Sequence, residues 1–171
     1  MVLPGWHPMV VHFPLALVIT GASSLLASRL IRRADHAATL ATVGTWNLCL
    51  GAAAALFALG TGLAAAVGLE VNASAHQAVS LHFKWAIFTS LALVLLAVWR
   101  GAGNAQESRP SWIFLALLLA ATATLIVTGY RGGQNVYRFG VGVHGAAAVR
   151  PSISPGPIHC AGACPVKYAN T

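Results

Sequence analysis

The sequence predicts an all-α integral membrane protein, a four-helix bundle with both termini on the outer side of the membrane. Three observations predict it. Apolar residues make up 57% of the 171, charged residues only 8%, and the mean hydropathy is +0.74. A soluble domain carries about 25% charged residues, so this chain cannot cover a water-facing surface and must meet lipid. Four apolar runs, at about 9–30, 42–67, 76–99 and 112–130, are each long enough for a bilayer core of about 30 Å, which takes roughly 20 helical residues. None alternates apolar with polar, as the strands of a membrane barrel do, so the runs read as helices.

Basic residues set the orientation. The first run ends at Arg29, Arg32 and Arg33, and the third loop carries Arg100 and Arg109, whereas the second loop has no Lys or Arg before Lys84. The excess of Lys and Arg on cytoplasmic loops then places both termini outside, in the periplasm of a bacterial inner membrane. The net charge of +7 is explained by these helix ends and not by a nucleic-acid partner. The N-terminus lacks the basic n-region of a signal peptide, so the first run is expected to be retained.

Within a single domain over residues 1–144, each helix has its own signals. Pro8 suits a first helical turn, where its missing N–H costs nothing. The second helix is rich in small residues, including Gly44, Gly51, Gly60 and Gly62, which let a helix or a flat cofactor approach its backbone. Asn72 or Ser74 can cap the third helix. The fourth is expected to stop at Gly129 and the pair Gly132–Gly133. Residues 145–171 hold four prolines and read as an irregular outer tail.

Seven histidines are many for so apolar a chain. His7, His12, His76, His82, His144 and His159 fall on the outer side, and only His36 inside. His12 precedes Arg29 by 17 residues, about 25 Å of helix, and His82 precedes Arg100 by 18, about 27 Å. The two imidazoles are thus expected at one depth, with His7 and His76 at a second, shallower level. Opposed imidazoles between helices are what a six-coordinate b-type haem requires. His12 and His82 are the expected axial ligands. His7 and His76 are the supporting groups or the ligands of a second haem, and Arg131 and Arg138 the partners of the propionates. Copper or zinc is the alternative, since both favour imidazole nitrogen.

Cys49 reads as a small buried thiol. Cys160 and Cys164 lie in the tail beside His159, where an oxidising compartment permits a disulfide. With only Asp35, Glu70 and Glu107 as carboxylates, acid–base catalysis is nearly excluded. A non-catalytic accessory subunit of an oxidoreductase fits better than an enzyme.

The segment HPMVVHFPLAL (7–17) resembles the HPxxVHFPxAL signature of a bacterial membrane family, domain of unknown function 2231. The likeness continues in AHQAVSLH (75–82) and GYRGGQNVYRFGVGV (129–143), and covers about residues 6–143. The resemblance implies a small four-helix membrane protein. Some relatives are fused to Rieske-type or c-type cytochrome domains, which implies a redox role on the outer side and such a protein as partner. His7, His12, His76 and His82 are the positions that carry over. A cofactor-free assembly subunit docked in a larger membrane complex is the competing expectation.

Overall fold

The computed structural model describes residues 6–67, 71–102 and 109–142. They form a short helix α1 (Trp6–Val10), then α2 (His12–Leu30), α3 (Ala34–Ala66), α4 (Ala73–Ala102) and α5 (Trp112–Phe139), with no strand among the described residues. Four stretches are long and apolar enough to cross a membrane: Trp6–Leu30, Ala34–Ala66, Ala73–Ala102 and Trp112–Phe139. The tail with His159, Cys160 and Cys164 lies outside the described residues, as does His144.

The helices outrun the apolar segments that announce them. At about 1.5 Å per residue, the 33 residues of α3 extend about 50 Å, well beyond a hydrocarbon core of about 30 Å. Its first two turns carry Asp35 and His36, which hydropathy leaves out but the headgroup region tolerates. At the other end of the chain, Gly132 and Gly133 do not stop α5. The helix runs on to Phe139 and ends at Gly140, whose φ of 65° is left-handed and whose N–H closes on the carbonyls of Asn135 and Val136. A helical glycine with neighbours on both sides costs about 1 kcal/mol against alanine, too little to end a helix that lipid sustains. Of the two candidate caps on α4, Asn72 is the one used: its Oδ1 accepts from the N–H of Ala75 at 2.9 Å and from the Ser74 hydroxyl at 2.8 Å.

The four long helices form a ring. α2 packs on α3 and α5, and α4 packs on α3 and α5, with α1 laid over α2 and α3. Val18, Leu25, Leu48, Leu93, Leu115 and Leu118 fill the centre and are at most 2% exposed. Outside, Phe57, Phe88, Leu95, Val98 and Ile113 are all more than half exposed, a surface only lipid can satisfy. The α2–α3 seam is closed by glycine. A Cβ on Gly44 would fall 2.6 Å from Leu25 Cγ and 3.0 Å from the Gly21 carbonyl oxygen, so the two backbones meet directly.

Buried hydroxyls are satisfied within their own helices. Ser28, Thr45 and Thr122 donate to the carbonyls of Leu25, Ala41 and Leu118. Polar links also cross between helices in the core: Arg100 Nε donates to Thr45 Oγ1 at 3.2 Å, and Thr89 meets Thr128 hydroxyl to hydroxyl at 3.2 Å. Since the Thr128 hydroxyl already donates to the Thr124 carbonyl, Thr89 is the donor of that pair.

Candidate functional site

The ring of helices has two chemically different ends. The end formed by the start of α2, the end of α3, the start of α4 and the end of α5 carries His7, His12, His76, His82, Arg131 and Arg138. The opposite end carries Arg29, Arg32, Arg33 and Arg109.

At the histidine end, His7 and His82 are half-buried, while His12 and His76 are exposed. His7 sits on α1, a five-residue helix separated from α2 by a break at Val11, and so reaches across to α3. Its Nδ1 lies 3.0 Å from the carbonyl oxygen of Ala58 and 3.2 Å from the Thr61 hydroxyl. His82 does the same on the other side of the bundle, with Nδ1 3.1 Å from the carbonyl oxygen of Thr128 on α5.

Each contact is made possible by a glycine four residues further on. A helical carbonyl points toward the N–H of residue i+4, and a side chain there crowds the approach to its second lone pair. Gly62 follows Ala58 by four residues, and Gly132 follows Thr128 by four. A Cβ at Gly62 would lie 2.9 Å from His7 Cε1, and one at Gly132 would lie 3.1 Å from His82 Cε1. The two halves of the bundle therefore carry matching clamps: an imidazole on one helix, a main-chain carbonyl on the next, and a glycine that admits the ring.

The clamps fix the tautomer. A carbonyl only accepts, so Nδ1 must hold the proton and the neutral ring keeps its lone pair on Nε2. That is the state in which histidine ligates a metal, and a second hydrogen bond to a backbone carbonyl is the usual support for such a ligand.

Arg131 completes the site. Its guanidinium lies over the Trp85 ring at 5.5 Å, and its Nε is buried without a hydrogen-bond partner. A buried, unanswered guanidinium N–H calls for an acceptor. Arg138, by contrast, is exposed and lies over Phe139 at 5.9 Å.

A b-type haem would be held by such imidazoles. Haem iron takes two axial nitrogens from the protein and brings its own carboxylates. A zinc or copper site built by protein alone takes three or four donors, and no group of three or more His, Cys, Asp or Glu is placed to hold an ion among the described residues.

The chain matches the family model described as "Predicted membrane protein (DUF2231)" over residues 4–145. The chain belongs to this family. The DUF2231 match takes in all five helices and both clamps, while the tail after residue 145 lies outside it. No curated protein and no solved structure matches the chain.

Sequence reasoning named His7, His12, His76, His82, Arg131 and Arg138 as candidates but not the groups that meet two of the rings: the carbonyls of Ala58 and Thr128, the Thr61 hydroxyl, and Gly62 and Gly132. Main-chain acceptors have no sequence signature. The glycines do, and their placement four residues beyond the accepting carbonyl is the signal available.

Proposed function

We propose that this chain is a membrane-anchored electron-transfer subunit that binds one b-type haem at its histidine end, with His7 and His82 as the axial ligands. The observation that carries the reading is the pair of matched clamps, each holding an imidazole with its proton on Nδ1 and its lone pair on Nε2. The expectation from depth alone pairs His12 with His82. We take His7 in place of His12 because His12 is exposed, whereas His7 is half-buried and its Nδ1 is held at α3 by the Ala58 carbonyl and the Thr61 hydroxyl. His76, also exposed, has no ligand role in this reading.

A bound haem iron would supply one-electron chemistry, cycling between the ferric and ferrous states. The protein's part is to orient two neutral imidazoles, exclude water with the apolar walls of α2 and α4, and offer Arg131 to a propionate. The absence of a nucleophile–base pair among the motifs of the sequence favours a subunit that passes electrons over one that transforms a substrate. The partner is a redox protein on the same side, such as a c-type cytochrome or a Rieske-type protein, or a larger membrane complex. The arginine excess at the opposite end supports placing the histidine end in the periplasm of a bacterial inner membrane.

The test is the absorption spectrum of the detergent-purified protein, with pyridine haemochrome and metal analysis. Haem binding gives a Soret band and sharp α and β bands on reduction. His7→Ala and His82→Ala abolish haem retention, and His12→Ala and His76→Ala leave it intact. A colourless protein with stoichiometric copper or zinc would replace this reading with metal handling. A colourless, metal-free protein would leave the assembly-subunit reading.

A further inference from the structure

The arginine end holds a second unanswered guanidinium. Arg29, at the end of α2, lies over the ring of Trp112 at 5.2 Å, and its Nε is buried without a hydrogen-bond partner. Arg109 lies beside it in the chain segment leading to α5 and donates to the Arg32 carbonyl at 3.4 Å, which ties the 109–111 segment to the α2–α3 turn. Arg33 follows on the same turn. Five arginines thus gather at one end, counting the buried Arg100 at the end of α4, and the single carboxylate among the described residues, Asp35, is exposed and lines a cavity with Arg33 and His36.

The surroundings say what kind of anion fits. Leu30 is 62% exposed, Trp112 57% and Ile113 70%, and all three adjoin Arg29 in sequence or across the α2–α5 contact. Exposed tryptophan at a helix start marks the depth of the lipid headgroups. Arginines beside exposed apolar side chains match a ligand that is anionic at one end and aliphatic at the other. A free phosphate would use only the arginines.

We propose that Arg29, Arg109 and the arginines of the α2–α3 turn form a binding site for the phosphate of an anionic phospholipid, with its acyl chains laid against Leu30, Trp112 and Ile113. Trp112 supports one face of the Arg29 guanidinium, whose charge attracts the phosphate. The site is independent of the histidine end, some four turns or more away along every helix, and stands or falls apart from any cofactor there.

Native mass spectrometry of the full chain in a neutral detergent tests it, with phosphatidylglycerol and phosphatidylcholine of identical acyl chains supplied at equal concentration. The expected result is one phosphatidylglycerol retained per chain in clear preference to phosphatidylcholine. Arg29→Gln and Arg109→Gln each weaken that retention about fivefold, the effect of roughly one guanidinium at a membrane surface. Arg109 is exposed, so its substitution leaves the fold intact and keeps the test decisive if Arg29→Gln misfolds. Equal retention of the two lipids, or unchanged retention in Arg109→Gln, overturns the proposal. Displacement of the lipid by a large excess of inorganic phosphate would assign the site to the free ion and overturn the lipid assignment.

Discussion

His82 donates from Nδ1 to the main-chain carbonyl of Thr128 at 3.1 Å, and the same residue's hydroxyl receives Thr89 from two turns further along α4. One residue of α5 therefore meets α4 twice, once through its backbone and once through its side chain. The contact fixes both the orientation of the imidazole and the register of the two helices. Interhelical hydrogen bonds in membranes average only about 0.6 kcal/mol. The value of this pair lies less in stability than in holding one ring in one tautomer.

The glycines that admit the rings should be intolerant of a methyl group. Gly132→Ala places a Cβ 3.1 Å from His82 Cε1, and Gly62→Ala places one 2.9 Å from His7 Cε1. The His7 ring must then shift, and the His82 ring must give by a few tenths of an ångström, which strains each contact with its carbonyl. Overpacking of this kind costs about 1–3 kcal/mol. Both variants are expected to lose most of their haem on purification while retaining helical circular dichroism. Gly60→Ala and Gly133→Ala, where a Cβ meets nothing within 4 Å, are expected to bind as wild type. Equal haem content in all four variants would remove the clamps from the argument.

Arg131 should tune the reduction potential. Reduction of a haem iron adds a negative charge to the site, and a nearby guanidinium stabilises that state. Arg131→Gln is expected to lower the midpoint potential by tens of millivolts, where about 59 mV is a tenfold change for one electron. Arg131→Lys restores most of the shift, because the charge returns even though the stacking on Trp85 does not. Arg138→Gln, at an exposed position, moves the potential little. Spectroelectrochemical titration in detergent reads all three.

The four spans were legible because hydropathy reports directly on what must meet lipid. Their ends were less so. The first turns of α3 carry Asp35 and His36, and no count of apolar residues includes them although the helix does. Gly132 and Gly133 look like a stop, yet lie inside α5 because the glycine at 132 serves the His82 ring and not the helix terminus. The histidines were legible by type, and the backbone groups that meet two of them were not. Estimating depth along one straight helix pairs His12 with His82, whereas the structure sets His7 against Ala58 and Thr61 on α3. A carbonyl acceptor such as Ala58 could not be foreseen from any side chain.

The α2–α3 seam offers a test of the fold apart from the site. A methyl group on Gly44 would stand 2.6 Å from Leu25 Cγ, 3.0 Å from the Leu25 backbone nitrogen and 3.0 Å from the Gly21 carbonyl oxygen. Two of those three neighbours are backbone and cannot rotate aside. Gly44→Ala is expected to separate the helices and destabilise the bundle by about 1–3 kcal/mol, seen as a lower thermal midpoint in detergent. The histidine end is remote from this contact, so folded Gly44→Ala protein retains a wild-type haem spectrum. A midpoint equal to wild type would mean that the seam is looser than its geometry indicates.

Orientation follows from the arginine end. Arg29, Arg32, Arg33 and Arg109 converge there, and Arg109 is held to the Arg32 carbonyl, so two loops that are separate in sequence present one basic face. Positive charge on short loops resists translocation, which predicts that this face stays in the cytoplasm and the histidine end faces out. A C-terminal fusion to alkaline phosphatase is then active, and one to a green fluorescent protein exported through the same route is dark. Replacing Arg29, Arg32 and Arg33 with Gln removes most of the asymmetry around the first span. Arg131 and Arg138 then equal Arg100 and Arg109, so the bias is lost, part of the population should insert inverted and the phosphatase signal fall. An active fluorescent fusion on the wild-type chain would reverse the orientation and move the redox partner to the cytoplasm.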